Sequence, residues 1–243
     1  MGYINYKVPP DDGQARLDPQ RTSIIVPVYN EEKTVVDVIE HLKKLPFNKE
    51  IIIIDDGSTD GTREILSNIK DLAVKIVFHE TNKGKGSAIS TGLKNAEGEI
   101  IAIQDADLEY DPNQLVELIK PIQDNKADVV YGSRFLKENP NIYKRYLLGN
   151  KFITWLINIF YEAHFTDSYT CYKIFRKEII EKFNLESKRF EVEAEISIKV
   201  AKEKITFLEI PIDYNPRSLE QGKKISFKDA IKGVLTILKY KFK

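Results

Sequence analysis

Three acids spaced two apart, Asp105, Asp107 and Glu109, follow the apolar run Ile100-Ile101-Ala102-Ile103, which reads as a short strand. Aspartate is a poor strand former, so the acids fall where that strand ends. At every second position they can point towards one side, and bare they repel one another. A divalent cation removes the repulsion, and Mg2+ is typically held by one or two carboxylates together with substrate phosphate oxygens. The same residues also read as a solvated acidic turn, because Asp-x-Asp is short and common.

Lys83-Gly84-Lys85-Gly86-Ser87 carries the glycines of a phosphate-binding loop. A nucleotide-hydrolysing P-loop needs Gly-Lys followed directly by Ser or Thr, and here Gly86 intervenes. That class is excluded. Two readings stay open: a loop whose N–H groups and Lys85 approach a diphosphate, and a plain helix start. Asp105-Ala106-Asp107 after a strand also resembles phosphatases of haloacid-dehalogenase type, but Glu109 stands where that motif continues with Thr or Val.

The first half of the chain supplies the elements that position these groups. Strands are expected at residues 22–28, 50–54 (with four consecutive isoleucines), 74–78, 99–103 and 128–131. Helices follow each of the first four: Asn30 is read as a cap for the first, with Glu31 and Glu32 in its opening turn. Val35, Val36, Val38, Ile39 and Leu42 form its expected buried stripe. Strands alternating with helices predict βαβ crossovers and a mainly parallel sheet, and an all-isoleucine strand suits burial on both faces. In such sheets ligands sit beyond the carboxyl ends of the strands. Tyr29-Asn30-Glu31, Asp55-Asp56, residues 83–87 and residues 105–109 all fall there, which one chance polar loop would not explain.

The bulk properties narrow the function classes. The 37 basic residues balance 37 acidic ones, so no whole-chain field argues for nucleic acid. The lone cysteine, Cys171, excludes an internal disulfide and a Cys-rich metal site, and fits a reducing, cytoplasmic location. Residues 1–21 read as a polar lead-in without the apolar core of a signal peptide. No run reaches the roughly 18 apolar residues of a membrane span. The three histidines, His41, His79 and His164, lie in unrelated segments and receive no role.

The second half changes character. Residues 143–165 are aromatic-rich, with Trp155; residues 167–176 are expected as a strand, 191–202 as a helix and 205–210 as another strand. On a last helix Phe227, Ile231, Val234, Leu235, Leu238 and Phe242 share a face, read as core-packing, with lysines 228, 232, 239, 241 and 243 around it. Docking of this helix, or of residues 143–165, on an anionic membrane surface is the competing reading.

Taken in order, Ile24-Ile25-Val26-Pro27-Val28-Tyr29-Asn30-Glu31, Asp55-Asp56-Gly57-Ser58-Thr59-Asp60-Gly61-Thr62, Asn82-Lys83-Gly84 and Asp105-Ala106-Asp107 resemble the motifs of family 2 glycosyltransferases. Gly132-Ser133-Arg134-Phe135, residues 167–173, and Pro216-Arg217 with Gly222-Lys223-Lys224-Ile225 are similar to the dolichyl- or polyprenyl-phosphate sugar synthases within that family. Cys171-Tyr172-Lys173 stands where many members have Gly-Phe-Arg, and Lys223 where Ser is frequent.

The resemblance implies an α/β fold of GT-A type: one domain over residues 22–243, with a mainly parallel central sheet flanked by helices and amphipathic helices at the C-terminal end. Residues 22–131 would bind nucleotide sugar and 132–243 the acceptor. It implies inverting transfer of a hexose from a GDP-mannose- or UDP-glucose-type donor to a polyprenyl or dolichyl phosphate, dependent on Mg2+ or Mn2+. Pro27, Tyr29, Glu31, Asp55, Asp56, Lys85, Asp105 and Ala106 would bind the donor, and Asp107 with Glu109 the metal. Ser133, Arg134, Arg217, Lys223 and Lys224 would bind the acceptor phosphate, and Asp105, Asp107, Arg134 and Arg217 would carry catalysis. It leaves a peripheral membrane location and a homo-oligomer open. A sugar-hydroxyl acceptor, the second enzyme reading, would need a general base, for which Asp167, Glu193 and Glu195 are candidates. A third reading is a silent nucleotide-sugar-binding protein.

Overall fold

The computed structural model describes residues 20–139, 144–217 and 227–242. Seven strands form one sheet: β1 (Thr22–Val28), β2 (Lys49–Asp55), β3 (Val74–Phe78), β4 (Ile100–Ile103), β5 (Val129–Ser133), β6 (Lys173–Arg176) and β7 (Phe207–Pro211). Their order is β3-β2-β1-β4-β6-β5-β7, parallel throughout except β6, which runs antiparallel between β4 and β5. The four isoleucines of β2 are buried, as a doubly covered strand requires. The helices are α1 (Val35–Lys44), α2 (Thr62–Ser67), α3 (Lys85–Asn95), α4 (Leu115–Gln123), α5 (Lys144–Tyr161), α6 (Lys177–Lys182), α7 (Val192–Lys202) and α8 (Phe227–Lys241). Helix α3 packs on β1 and β2, α4 on β4, β5 and β6, while α5, α7 and α8 pack on one another.

Register brings the loops together. Val28 pairs with Asp55, Asp55 with Phe78, and Ile25 with Ile103. The carboxyl ends of β1, β2 and β3 are therefore level and β4 stops three residues short of the end of β1, so their acidic and glycine-bearing loops share one sheet edge. Because β6 is reversed, residues entering it arrive at that edge too.

Five expectations change. Asn30 does not cap α1; with φ +52° its carboxamide oxygen accepts from the Thr59 N–H at 2.8 Å, tying the 29–34 loop to the 58–60 loop. The helix starts at Val35, so Glu31 and Glu32 precede it. Val36 is exposed and leaves the buried stripe. Residues 167–172 are turns, because buried Asp167, Ser168 and their N–H groups bond to Arg134, Thr154 and Glu209 rather than to a ladder. The largest change is in α8. Its buried face is Gly233, Thr236, Ile237 and Tyr240, while Ile231, Leu235, Leu238 and Phe242 are exposed. The stripe expected in the core faces outward.

Candidate active site

A cavity of about 1290 Å3 opens at the carboxyl edge of the sheet. It is lined by Pro27, Tyr29, Glu31, Asp56, Lys85, Asp105, Ala106, Asp107, Glu109, Arg134 and Arg217, so the sequence candidates from both halves converge there. Asp55 and Ser133 do not line it: both are fully buried, Asp55 accepting from the Ser58 N–H at 3.1 Å and Ser133 bonding Thr166 at 2.6 Å. Lys223 and Lys224 lie outside the described residues.

The acid cluster hangs on a strained turn. Leu108, between Asp107 and Glu109, has φ +58°, a region costly for a side chain with a Cβ. The Glu109 N–H donates to Asp107 Oδ1 at 3.1 Å, closing the turn. Each acid meets a different environment. Asp105 pairs with Lys85 at 2.7 Å. The Glu109 carboxylate accepts from the Tyr214 hydroxyl and, at 2.8 Å, from the Arg217 N–H. Asp107 is left between two like charges: burial, Asp105 and Glu109 together push its carboxyl up to about 7.

Arg217 straps this loop to the first one. Its guanidinium pairs with Glu31 Oε2 at 2.8 Å, donates to the Asp107 carbonyl at 2.8 Å and reaches Thr34 Oγ1 at 3.2 Å. Arg134 is held differently, in a bidentate pair with Asp167 at 2.7 and 2.8 Å, its guanidinium over the Tyr214 ring. Asp167 is wholly buried, so the fork fixes Arg134 at the cavity wall.

Behind the cavity runs a line of alternating charge. Glu193 of α7 accepts from Lys85 at 3.0 Å and from the buried Lys173 of β6. Burial opposes its charge, but the two lysines hold its carboxyl below the ordinary range. Glu195 is likewise held down, against burial, by Lys199 and the N–H groups of Ser187 and Glu186.

The glycine loop serves packing. Gly84 has φ +96°, and a Cβ there would lie 2.5 Å from the Lys188 carbonyl; one on Gly86 would lie 2.1 Å from the Ser187 carbonyl. The N–H groups of Lys83 and Gly84 donate to Asp56, and that of Ser87 to the Lys188 carbonyl. The Lys85 ammonium, rather than these three N–H groups, faces the cavity.

One functional side chain had no role in the sequence reading. His79 Nδ1 lies 2.7 Å from Asp56 Oδ1 and Nε2 lies 2.9 Å from Thr91 Oγ1, with His79 and Asp56 buried and Thr91 half-buried. With the two loop N–H groups it fixes the carboxylate that Asp56 presents to the cavity. The level ends of β2 and β3 carry the signal, since residues 56 and 79 each follow the paired Asp55 and Phe78.

Comparison with known proteins agrees with this geometry. Residues 23–183 match the family described as Glycosyl transferase family 2. Among curated relatives, the UDP-N-acetylglucosamine--dolichyl-phosphate N-acetylglucosaminyltransferase of Methanococcus voltae is 33% identical over 83% of this chain and 89% of its own length. The dolichol-phosphate mannosyltransferase of Pyrococcus furiosus is 28% identical over 84% of this chain, which spans 59% of that protein. In fold, the chain is similar to glucosyl-3-phosphoglycerate synthase from Mycobacterium tuberculosis in complex with Mn2+, uridine diphosphate and phosphoglyceric acid. The TM-score is 0.68 and the identity 18%, over 91% of this chain and 78% of that one. The sheet, the convergent edge and the family match together place the chain in glycosyltransferase family 2, as an enzyme of GT-A fold.

Proposed function

We propose that this glycosyltransferase moves a hexose, with inversion, from a nucleotide diphosphate sugar of GDP-mannose or UDP-glucose type to a polyprenyl or dolichyl phosphate. The observation that carries the reading is the state of the acids. Asp167, Glu193 and Glu195, the candidates for a general base, are each held by a cation: Arg134, the Lys85–Lys173 pair and Lys199. A sugar hydroxyl needs such a base. A phosphate monoester does not, being anionic near neutral pH with a second pKa of about 6. The names of the Methanococcus and Pyrococcus relatives support the lipid phosphate acceptor.

The acid cluster fits Mg2+ or Mn2+. Asp107 has an anionic neighbour on each side and a carboxyl carried up to about 7, the deficit a cation would relieve. Among the described residues no group of three or more His, Cys, Asp or Glu could hold an ion by itself; Mg2+ is typically held by one or two carboxylates with substrate phosphate oxygens completing its shell. Asp107 and Glu109 would hold the ion, Glu109 being steadied by Tyr214 and Arg217, with Asp105 beside them on Lys85. Bound there, the ion would neutralise charge developing on the departing nucleotide. The Mn2+ and uridine diphosphate of the structural neighbour support this use.

In the transfer an acceptor phosphate oxygen bonds the anomeric carbon as the bond from that carbon to the donor diphosphate breaks, the electron pair leaving with the nucleotide. Residues 22–131 hold the donor: Asp56, with Pro27, Tyr29 and Glu31, borders the nucleoside, and Lys85 neutralises Asp105. Residues 132–243 hold the acceptor: Arg134, through the guanidinium N–H groups that Asp167 does not engage, and Arg217, from its strap, present positive charge to its phosphate, Ser133 supports the turn carrying Arg134, and Lys223 and Lys224 add charge. The test is transfer assayed with each donor, Mn2+ and either polyprenyl phosphate or an oligosaccharide. Product on the lipid phosphate alone, abolished by EDTA, is expected; transfer to the oligosaccharide alone would replace the reading.

A further inference from the structure

We infer that Arg189 binds the diphosphate of the nucleotide sugar, an assignment that rests on the donor class proposed above. Arg189 stands between α6 and α7, in the half of the chain given to the acceptor. The fold nevertheless brings it to the cavity wall beside the glycine loop of the donor half.

Backbone bonds hold it there. The Lys188 carbonyl accepts from the Ser87 N–H at 3.0 Å, and the Glu195 carboxylate accepts from the N–H groups of Glu186 and Ser187 at 2.9 and 2.7 Å. The Arg189 stem lies against Gly84: a Cβ on that glycine would stand 2.6 Å from Arg189 Cγ and 3.1 Å from its Cα. Any larger residue at position 84 would push the arginine away. Three N–H groups of the 83–87 loop are already spent, two on Asp56 and one on the Lys188 carbonyl. The anion contact that a glycine-rich loop makes through its N–H groups passes here to the cation seated on it.

Charge selects Arg189 from the other candidates. Four cations line the cavity among the described residues: Lys85, Arg134, Arg189 and Arg217. Lys85 is held by Asp105 and Glu193, Arg134 by Asp167, and Arg217 by Glu31. Among the described residues Arg189 forms no ion pair; its backbone N–H, not its guanidinium, donates to Glu191 Oε1 at 3.3 Å. Seven acids line the same cavity, so a diphosphate enters against a negative excess. A paired cation must loosen its partner before it can help. The exposed Arg189 gives up only water, and its planar fork suits two phosphate oxygens at once. It thereby adds to the positive charge that meets the departing nucleotide.

Affinity for the leaving nucleotide tests the assignment without turnover. Wild type, Arg189→Met and Arg189→Lys are titrated calorimetrically with UDP, GDP, uridine and guanosine in the presence of Mn2+. Arg189→Met keeps an unbranched stem on Gly84 and removes the charge. It is expected to bind the preferred nucleoside diphosphate at least about tenfold more weakly, with the matching nucleoside within about twofold of wild type and the melting temperature unchanged. Arg189→Lys is expected to recover part of the loss, since it restores the charge without the fork. In transfer assays at saturating donor, the KM for a short-chain polyprenyl phosphate is expected to stay within about twofold of wild type. Equal losses for diphosphate and nucleoside, an unchanged diphosphate affinity, or a raised acceptor KM in its place would overturn the inference and leave the donor class standing. A wild type that binds neither UDP nor GDP would remove the donor class, and the inference with it.

Discussion

The parallel half of the sheet and the α5–α7–α8 layer solve opposite problems. Around β1, β2, β3 and β4 the loops are cross-linked by short local bonds: Asn30 to Thr59, Asp56 to His79 and the 83–84 N–H groups, Asp55 to Ser58. That side is preorganised for one rigid, polar ligand. Across the cavity, polar groups are paired inward, Arg134 with Asp167 and Glu195 with Lys199, and the outer helix faces are left apolar. That side suits a long, flexible ligand with one charged end. On the proposed function, that difference lets one cavity take two chemically unlike substrates.

Substitutions test that division. Asp107→Asn stands at the junction of the two sides and is expected to lower turnover by at least about a thousandfold with both substrates bound and the circular dichroism unchanged; activity near that of wild type would remove the acid cluster from the mechanism. Arg217→Ala releases the strap and is expected to lower kcat/KM for the acceptor by about a hundredfold while the donor dissociation constant changes by less than about threefold. Equal losses measured in both would erase the distinction between the sides. His79→Phe leaves Asp56 one bond short and is expected to raise the donor KM by about tenfold with kcat nearly unchanged, with partial recovery in His79→Gln, which restores a donor. An effect on kcat alone would show that Asp56 is not held for binding.

The smallest effect concerns stability. Glu209 of β7 accepts from the Thr166 and Asp167 N–H groups at 2.8 and 3.1 Å, but burial pushes its carboxyl up to about 7. A raised value means the stability it contributes is full below the ordinary carboxylate range and is lost as pH rises through about 7. Glu209→Gln should therefore gain on wild type between pH 6 and pH 8.5, by up to about 2 kcal/mol in urea denaturation. A pH-independent difference would show that Glu209 titrates normally.

The strands and the convergent loops were legible because isoleucine runs and turn residues leave few alternatives. Residues 74–78, for instance, form β3 with the expected bounds. Burial of polar side chains was not legible. Residues 167–172 have the β-rich composition of a strand, and only the partners of Asp167 and Ser168, distant in sequence, make them a buried loop. The orientation of α8 was hidden for a related reason. Its spacing defines an apolar stripe but not what covers it, and the small residue Gly233, with Tyr169 Oη 2.2 Å from where its Cβ would stand, sets the packed face. His79 needed strand register, which single-residue patterns do not carry.

The central claim is that the acceptor brings its own negative charge and needs no base from the protein. Polyprenyl phosphate and the corresponding polyprenol, assayed side by side with nucleotide sugar and Mn2+, test it directly. Glycosylated product from the phosphate and none above background from the alcohol is predicted; comparable transfer to the alcohol would contradict the account.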